Sequence, residues 1–189
     1  MVQSLEGYLN GNILVAMPLV ADVRLEQTIV FVCGHDDHGA IGLILNKQLP
    51  SVLSSELFKQ LHIPYDPAHG NRPLYFGGSV EMNRGFVLHS LDYLTDNTVV
   101  VSDDYGVTAT VDILRSIATG IGPKEYRISL GYTGWSSGQL EQDLQDNRWL
   151  ICPPSKDFIF ETRSQEQWQK AYQNIGYERG CFPMHGGRA

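Results

Sequence analysis

The sequence predicts an α+β fold, and three features carry that expectation. Short runs rich in branched residues outnumber the helical patterns, and the two do not alternate regularly, as a doubly wound parallel sheet would require. Many of the runs are also almost continuously apolar, which places several strands under cover on both faces. A chain of 189 residues, with 42% hydrophobic and 19% charged residues, suffices for one packed domain. We take that domain to span residues 1–176, followed by a loose polar, glycine-rich tail at 177–189.

The expected strands are Ile13–Met17, Thr28–Cys33, Ala40–Leu45, Leu74–Phe76, Phe86–His89, Thr98–Ser102, Arg127–Leu130, Trp149–Cys152 and Phe158–Glu161. Gly34-His35-Asp36-Asp37-His38-Gly39 joins the second and third as a hairpin, because its glycines and Asx residues suit a tight turn. Four helices are expected between the strands. The first has Ser54 as N-cap and Leu57, Phe58 and Leu61 on its inner face. The second carries Val111, Leu114, Ile117 and Ala118 as one stripe, closed by Gly120 at C′. Leu140 and Leu144 mark the third. Ser164 and Gln167 form a capping box for the fourth, whose stripe is Trp168, Ala171, Tyr172 and Ile175 before Gly176. Pro64–Pro73, with three prolines, reads as a loop or, in a bilobal domain, as its hinge.

Composition narrows the function classes. The formal charge is -7 and the 14 basic residues are scattered, which argues against direct nucleic-acid binding, since phosphate contacts are made by Lys and Arg. Cys33, Cys152 and Cys181 are far apart and include no C-x-x-C, as expected of buried thiols in a reducing compartment. The amino terminus lacks the basic flank of a signal peptide, and the apolar run at Ile13–Met17 stops at Pro18, too short to cross a membrane. A cytoplasmic location is expected, with no membrane association.

The most informative segment is 126–149, where a β run enters a glycine-rich stretch and leaves it as a helix. Gly134-Trp135-Ser136-Ser137-Gly138 matches G-x-S-x-G, the nucleophile elbow of serine hydrolases, and Ser136, Asp157 and His185 even stand in triad order. A plainer reading accounts for the same residues. With Ser136 as N-cap, Gln139 falls at N3 of a capping box, and Trp135 and Leu140 take the positions of a hydrophobic staple. Such a cap contributes about 1 kcal/mol. His185 lies in the tail, whereas a base must be held within about 3 Å of its nucleophile. We therefore expect no catalytic residue, with Ser136 the nucleophile of the alternative, hydrolase reading.

Other clusters are weaker. Cys33, His35 and His38 could begin a metal site, but no second cluster completes four ligands, so no metal and no cofactor is expected. His89, ending a β run, reads as a hydrogen-bonded buried histidine. Gly77-Gly78-Ser79 and Gly120-Ile121-Gly122 fit neither G-x-G-x-x-G nor a P-loop, and their glycines suit turns and close backbone approach. Asp103-Asp104 reads as a solvated turn pair. The turn Gly131–Gly138 offers amides at a helix N-terminus, and Trp135 there is either a staple or a partner-facing anchor. His35, His89, Tyr132, Trp135 and Gln139 stand as the candidate binding residues.

With these segments laid out, the chain resembles the AlgH/YqgE family of bacterial proteins. The resemblance rests on Met17-Pro18 with Asp22, on His35 with Gly39-Ala40-Ile41-Gly42-Leu43-Ile44-Leu45-Asn46, on Tyr75-Phe76-Gly77-Gly78 and on Gly85-Phe86-Val87-Leu88-His89-Ser90. Above all, Gly131-Tyr132, Gly134-Trp135 and Gly138-Gln139-Leu140-Glu141, with Trp149, fit the family's G-Y-x-G-W-x-x-G-Q-L-E signature. The resemblance implies a mixed, branched, barrel-like sheet with about four flanking helices, in a cytosolic protein. It implies no established activity, though some members carry the label of transcriptional regulator. Members commonly have glycine where Ser136 stands, which a nucleophile would not tolerate. Ser79 replaces a usual proline, Leu25 a usual aromatic, and Lys47-Gln48 a usual Arg-Pro. Together these readings imply a non-catalytic protein acting through a protein partner or small ligand, with a serine hydrolase or a transcriptional regulator as alternatives.

Overall fold

A computed structural model describes residues 7–18, 20 and 22–176. Met1–Glu6, Cys181, His185 and the tail expected at 177–189 therefore lie outside the described residues, except that the helix ends at Gly176 as anticipated.

The four apolar residues of β1 (Ile13–Ala16) are all buried. Ile13 and Val15 point into one core while Leu14 and Ala16 point into another, so the strand is covered on both faces. It pairs antiparallel with β2 (Ile29–Asp36) on one side and β10 (Trp149–Cys152) on the other. A tight turn at Asp37-His38 leads from β2 into β3 (Gly39–Ile44), with a bulge between Val32 and Gly34. The expected hairpin is present, with β2 running on to Asp36 and β3 shifted by one residue from its apolar run.

The sheet branches at β9 (Tyr126–Ser136). Its second half pairs with β3, from Gly42 opposite Thr133 to Gly39 opposite Ser136. Along the same edge, its first half pairs in parallel with β5 (Pro73–Phe76), and β5 in turn pairs with β4 (Gln48–Leu53). The opposite edge carries β6 (Val80–Ser90), then β8 (Tyr105–Thr108) and β7 (Thr98–Val100). Two glycines make the junction. Gly77 donates to Leu130 O and accepts from Ile44 N, both at 2.9 Å, stitching β9 to β3 where β5 ends. A Cβ on Gly77 would lie 2.2 Å from Gly131 O, and one on Gly131 would lie 2.4 Å from Gly78 O. Gly131 also has φ +71, where a side chain is strained. The result is the mixed, branched, curled sheet of an α+β protein, with ten strands among the described residues.

Helices close the curl. α1 (Ser54–Gln60) and α2 (Val111–Ala118) cover Leu74, Val87 and Ile128 with Phe58, Ile113 and Ile117. α3 (Gln139–Gln145) brings Leu140 against Val30, Ile44 and Trp149. α4 (Ser164–Ile175) packs Ala171 and Tyr172 on Ile13, Val15 and Phe31, and both Trp168 Nε1 and Tyr172 Oη donate to Ala16 O, at 2.9 and 2.8 Å.

Several local expectations are corrected. Phe158–Glu161 is not a strand but lies within a π-helical turn, Asp157–Glu161, in which consecutive Phe158 and Ile159 are both buried. A short apolar run fits either state, and here the helical turn buries neighbours that a strand would send to opposite faces. Ser54 and Ser164 do not cap their helices; each is the first helical residue. Ser54 Oγ donates to His69 O at 3.2 Å and accepts from Arg72 N, tying α1 to the 64–73 segment. Gln167, expected in a capping box, instead donates to Phe158 O at 2.8 Å and accepts from the buried guanidinium of Arg127. Tertiary bonds hold Ser54 and Gln167, while the buried Ser164 hydroxyl has no hydrogen-bond partner among the described residues.

Candidate functional site

The corner where the β2–β3 turn meets the end of β9 and the start of α3 gathers the polar groups. The bulge after Val32 leaves the end of β2 free to bond the preceding segment. His35 N donates to Asn10 Oδ1 at 2.6 Å, and Asn10 Nδ2 returns to His35 O at 3.4 Å. Residues 8–12 are thereby strapped across the strand. Leu9 N then donates to His35 Nδ1 at 3.1 Å. That bond fixes the tautomer: Nδ1 is an acceptor, so Nε2 carries the hydrogen and donates to Glu141 Oε1 at 3.0 Å. Glu141 stands in the first turn of α3, where a carboxylate also suits the helix dipole. The imidazole is 3% exposed and the carboxylate 40%.

Tyr8 forms the outer wall. Its ring meets that of His35 edge-on, with centroids 5.3 Å apart, and its hydroxyl donates to Asp37 Oδ1 at 2.5 Å. The bond to Asp37 holds the phenol above its ordinary pKa, with desolvation and the charges of Asp37, Asp36 and Glu141 adding to the effect. Ser137 Oγ donates to Asp37 O at 2.6 Å and locks the turn to the start of α3. Gly7, Tyr8, Leu9, His35, Glu141 and Leu144 line a cleft of about 270 Å³.

The other candidate residues are dispersed. Ser136 is exposed at the end of β9, and Gln139 Oε1 accepts both its amide, at 2.9 Å, and its hydroxyl, at 3.2 Å. The expected N-cap is corrected: that position belongs to Gly138, with φ 73, because β9 runs on through Ser136. Gln139 still reaches back to a backbone amide, as the third residue of a capping box does. Asp157 sits on the π-helical turn beside Glu161 and Lys170.

Trp135 faces inward as a staple against Leu140, which rules out an anchor on the surface. It is 7% exposed, meets Trp149 edge-on, and donates from Nε1 to Asp143 Oδ2 at 3.1 Å. Asp143 is held from its other oxygen by Arg148, at 2.9 Å. Tyr132 packs edge-on against Phe86 and the core under α4.

His89 pairs with Tyr126, the first residue of β9, away from Tyr132 in mid-strand and from Gln139 on α3. It is fully buried, donates from Nδ1 to Ser90 O and accepts from the Thr108 hydroxyl, each at 2.9 Å; burial lowers its pKa. Cys33, His35 and His38 diverge. The Cys33 thiol points at Phe31 O and burial pushes it up to about 12, while His38 pairs with Asp36 at the surface. Among the described residues no three His, Cys, Asp or Glu are grouped to hold a metal.

Tyr8, Asn10 and Asp37 carried no signal in the sequence, because their partners are distant in the chain or on its backbone. Glu141 stood in the quoted signature, where three residues after Gly138 place it on the first turn.

Fold and corner together define an α+β half-barrel protein with a small cleft of mixed polar and apolar lining beside its third helix. The chain belongs to the AlgH-like family, whose model matches residues 13–180. It is 39% identical over 189 residues to a UPF0301 protein of Rhodospirillum rubrum, covering 100% of this chain and 98% of that one. It is 42% identical over 194 residues to one of Methylobacterium sp. strain 4-46, covering 98% and 92%. The solution structure of the AlgH protein from Pseudomonas aeruginosa superposes with a TM-score of 0.80 at 34% identity, covering 100% of both chains. A crystal structure of a Corynebacterium diphtheriae protein shares the fold, with a TM-score of 0.69 at 15% identity over 94% of this chain and 88% of that one. No helix among the described residues is long and apolar enough to cross a membrane.

Proposed function

We propose that this protein is a non-catalytic binding protein of the cytoplasm, engaging a small ligand or a protein partner at the cleft lined by Tyr8, His35 and Glu141. One observation carries the reading. Both ring nitrogens of the corner's imidazole are spent, one accepting from Leu9 N and the other donating to Glu141. A general base needs a nitrogen free to take a proton from the reacting group. Here the ring is a strut that steadies a carboxylate at the mouth of the cleft. The exposed Ser136 hydroxyl donates to a glutamine oxygen, so the hydrolase alternative lacks a base where it needs one. Any regulatory role would run through the bound partner, since a net charge of -7 disfavours direct contact with DNA.

A serine-reactive fluorophosphonate tests the non-catalytic reading. Mass mapping after incubation with the native protein is expected to show Ser136 unmodified. An adduct at Ser136 that disappears on denaturation would replace this proposal with the hydrolase.

A further inference from the structure

We infer that the cleft accepts one alkyl cation, an ammonium or guanidinium on an aliphatic stem, with Glu141 as its counter-charge. The inference rests on the proposal that the cleft is a binding site and specifies what it binds. Three properties of the lining point the same way.

The first is charge. Among the described residues that line the cleft, Glu141 is the one carboxylate and no Lys or Arg is present, and Asp37 and Asp36 lie close enough to act on Tyr8. Among the described residues, Arg148, which follows α3, bridges Asp143 and Asp146, and His38 in the β2–β3 turn pairs with Asp36. Among the described residues, His35 Nε2 is the one partner of the Glu141 carboxylate, and it occupies Oε1. Oε2 is left as an acceptor in a half-exposed group whose direction the buried imidazole sets. An anionic ligand would meet this charge with no Lys or Arg to compensate it among the described lining residues.

The second is shape. A volume of about 270 Å³ falls below the roughly 300–1,000 Å³ typical of drug-sized ligands and suits a single extended side chain or a small amine. The third is the character of the walls. Leu9 and Leu144 supply apolar surface for methylenes, and the half-exposed Tyr8 ring supplies an aromatic face of the kind that attracts cations. A carboxylate, an aromatic ring and two leucines complement a charged head on a greasy stem.

The test uses the protein, isotope-labelled, titrated at low salt with n-butylammonium, n-butylguanidinium, butyrate and n-butanol, and followed by amide NMR shifts. Butylammonium and butylguanidinium are expected to move the resonances of Tyr8, Leu9, His35, Glu141 and Leu144 saturably, and added salt to weaken them. Glu141→Gln, whose amide oxygen can still accept from His35, should weaken the cation about five- to tenfold. Tyr8→Leu should weaken it about threefold while Tyr8→Phe leaves it unchanged, because the hydroxyl is spent on Asp37 and the ring remains for the cation. Asp103→Asn, elsewhere on the surface, is the unchanged control.

A lysine-bearing peptide run beside butylammonium separates the sources. Tighter binding of the peptide assigns the cation to a partner protein, and equal binding assigns it to a free amine. Butyrate or butanol binding as well as the cation overturns the charge inference and leaves the cleft as a site. If no probe shifts these residues, the cleft itself is wrong as the binding site.

Discussion

Replacing His35 by alanine should cost about 3–4 kcal/mol of folding stability, and the structure shows where the loss comes from. The imidazole is 3% exposed, so its removal leaves an internal hole, and large-to-small changes in cores cost roughly 2–5 kcal/mol. Leu9 N, in a residue only 7% exposed, loses its acceptor, and an orphaned buried amide costs about 1–3 kcal/mol. The two overlap, because water entering the hole would bond the freed amide. The lost bond to Glu141 adds little, since that carboxylate is already half in solvent. Two further variants divide the effect. The Asn amide oxygen can stand in for Nδ1, so His35→Asn should lose about half as much by keeping the Leu9 bond, whereas His35→Gln can keep the Glu141 contact but not the strap. Urea unfolding followed by tryptophan fluorescence measures the loss, and amide exchange at Leu9 measures the strap. A penalty for His35→Ala below about 1 kcal/mol, with Leu9 as protected as before, would refute the reasoning.

Two other outcomes follow from the geometry. His89 is neutral and buried with a lowered pKa, so the unfolded chain binds more protons than the folded one below the ordinary value of 6.5; its contribution should be complete above pH 6.5 and decline as pH falls from there towards the folded value. Urea midpoints from pH 8 to 5 should show this slope, and His89→Gln should flatten it. Asp143→Ala should cost about 2–3 kcal/mol and alter the near-ultraviolet dichroism of the Trp135–Trp149 pair, because the indole N–H is left buried and unpaired; Asp143→Asn, whose oxygen can still accept, should recover most of both.

Much of this architecture was legible in the chain because it follows from local pattern. Ile13–Ala16 and Ile29–Val32 are apolar on both sides of the strand, and burial on both faces is what they show. Gly77 reads as a close-approach residue, though not as the point where the sheet divides, and Gly131 reads only as the start of a turn. β4 escaped notice because Pro50 and Ser51, with φ 58, break its pattern at a sheet edge, and β8 because a glycine interrupts four residues. Ser54, Ser136 and Ser164 each read as caps, since a cap is a local motif; the 64–73 segment takes the Ser54 hydroxyl, β9 runs on through Ser136, and Ser164 falls inside its helix with its hydroxyl unpartnered among the described residues. At the corner, His35 and the Gln139-Leu140-Glu141 turn stood out in the sequence. Tyr8 and Asn10 did not, because their bonds cross 29 and 25 residues, a distance at which periodicity carries no information.

The pairing of β1 with β10 has a consequence for how this protein comes into being. Ile13 lies opposite Cys152, so the strand made first waits for one made nearly last. β3 waits likewise for Gly134 and Trp135. On the ribosome, the three-stranded meander emerges with both flanks unsealed and with branched side chains bare, the state in which nascent sheets stick to one another. Any chain halted before Tyr126 would be arrested in that condition, dependent on a chaperone until the missing strands arrive.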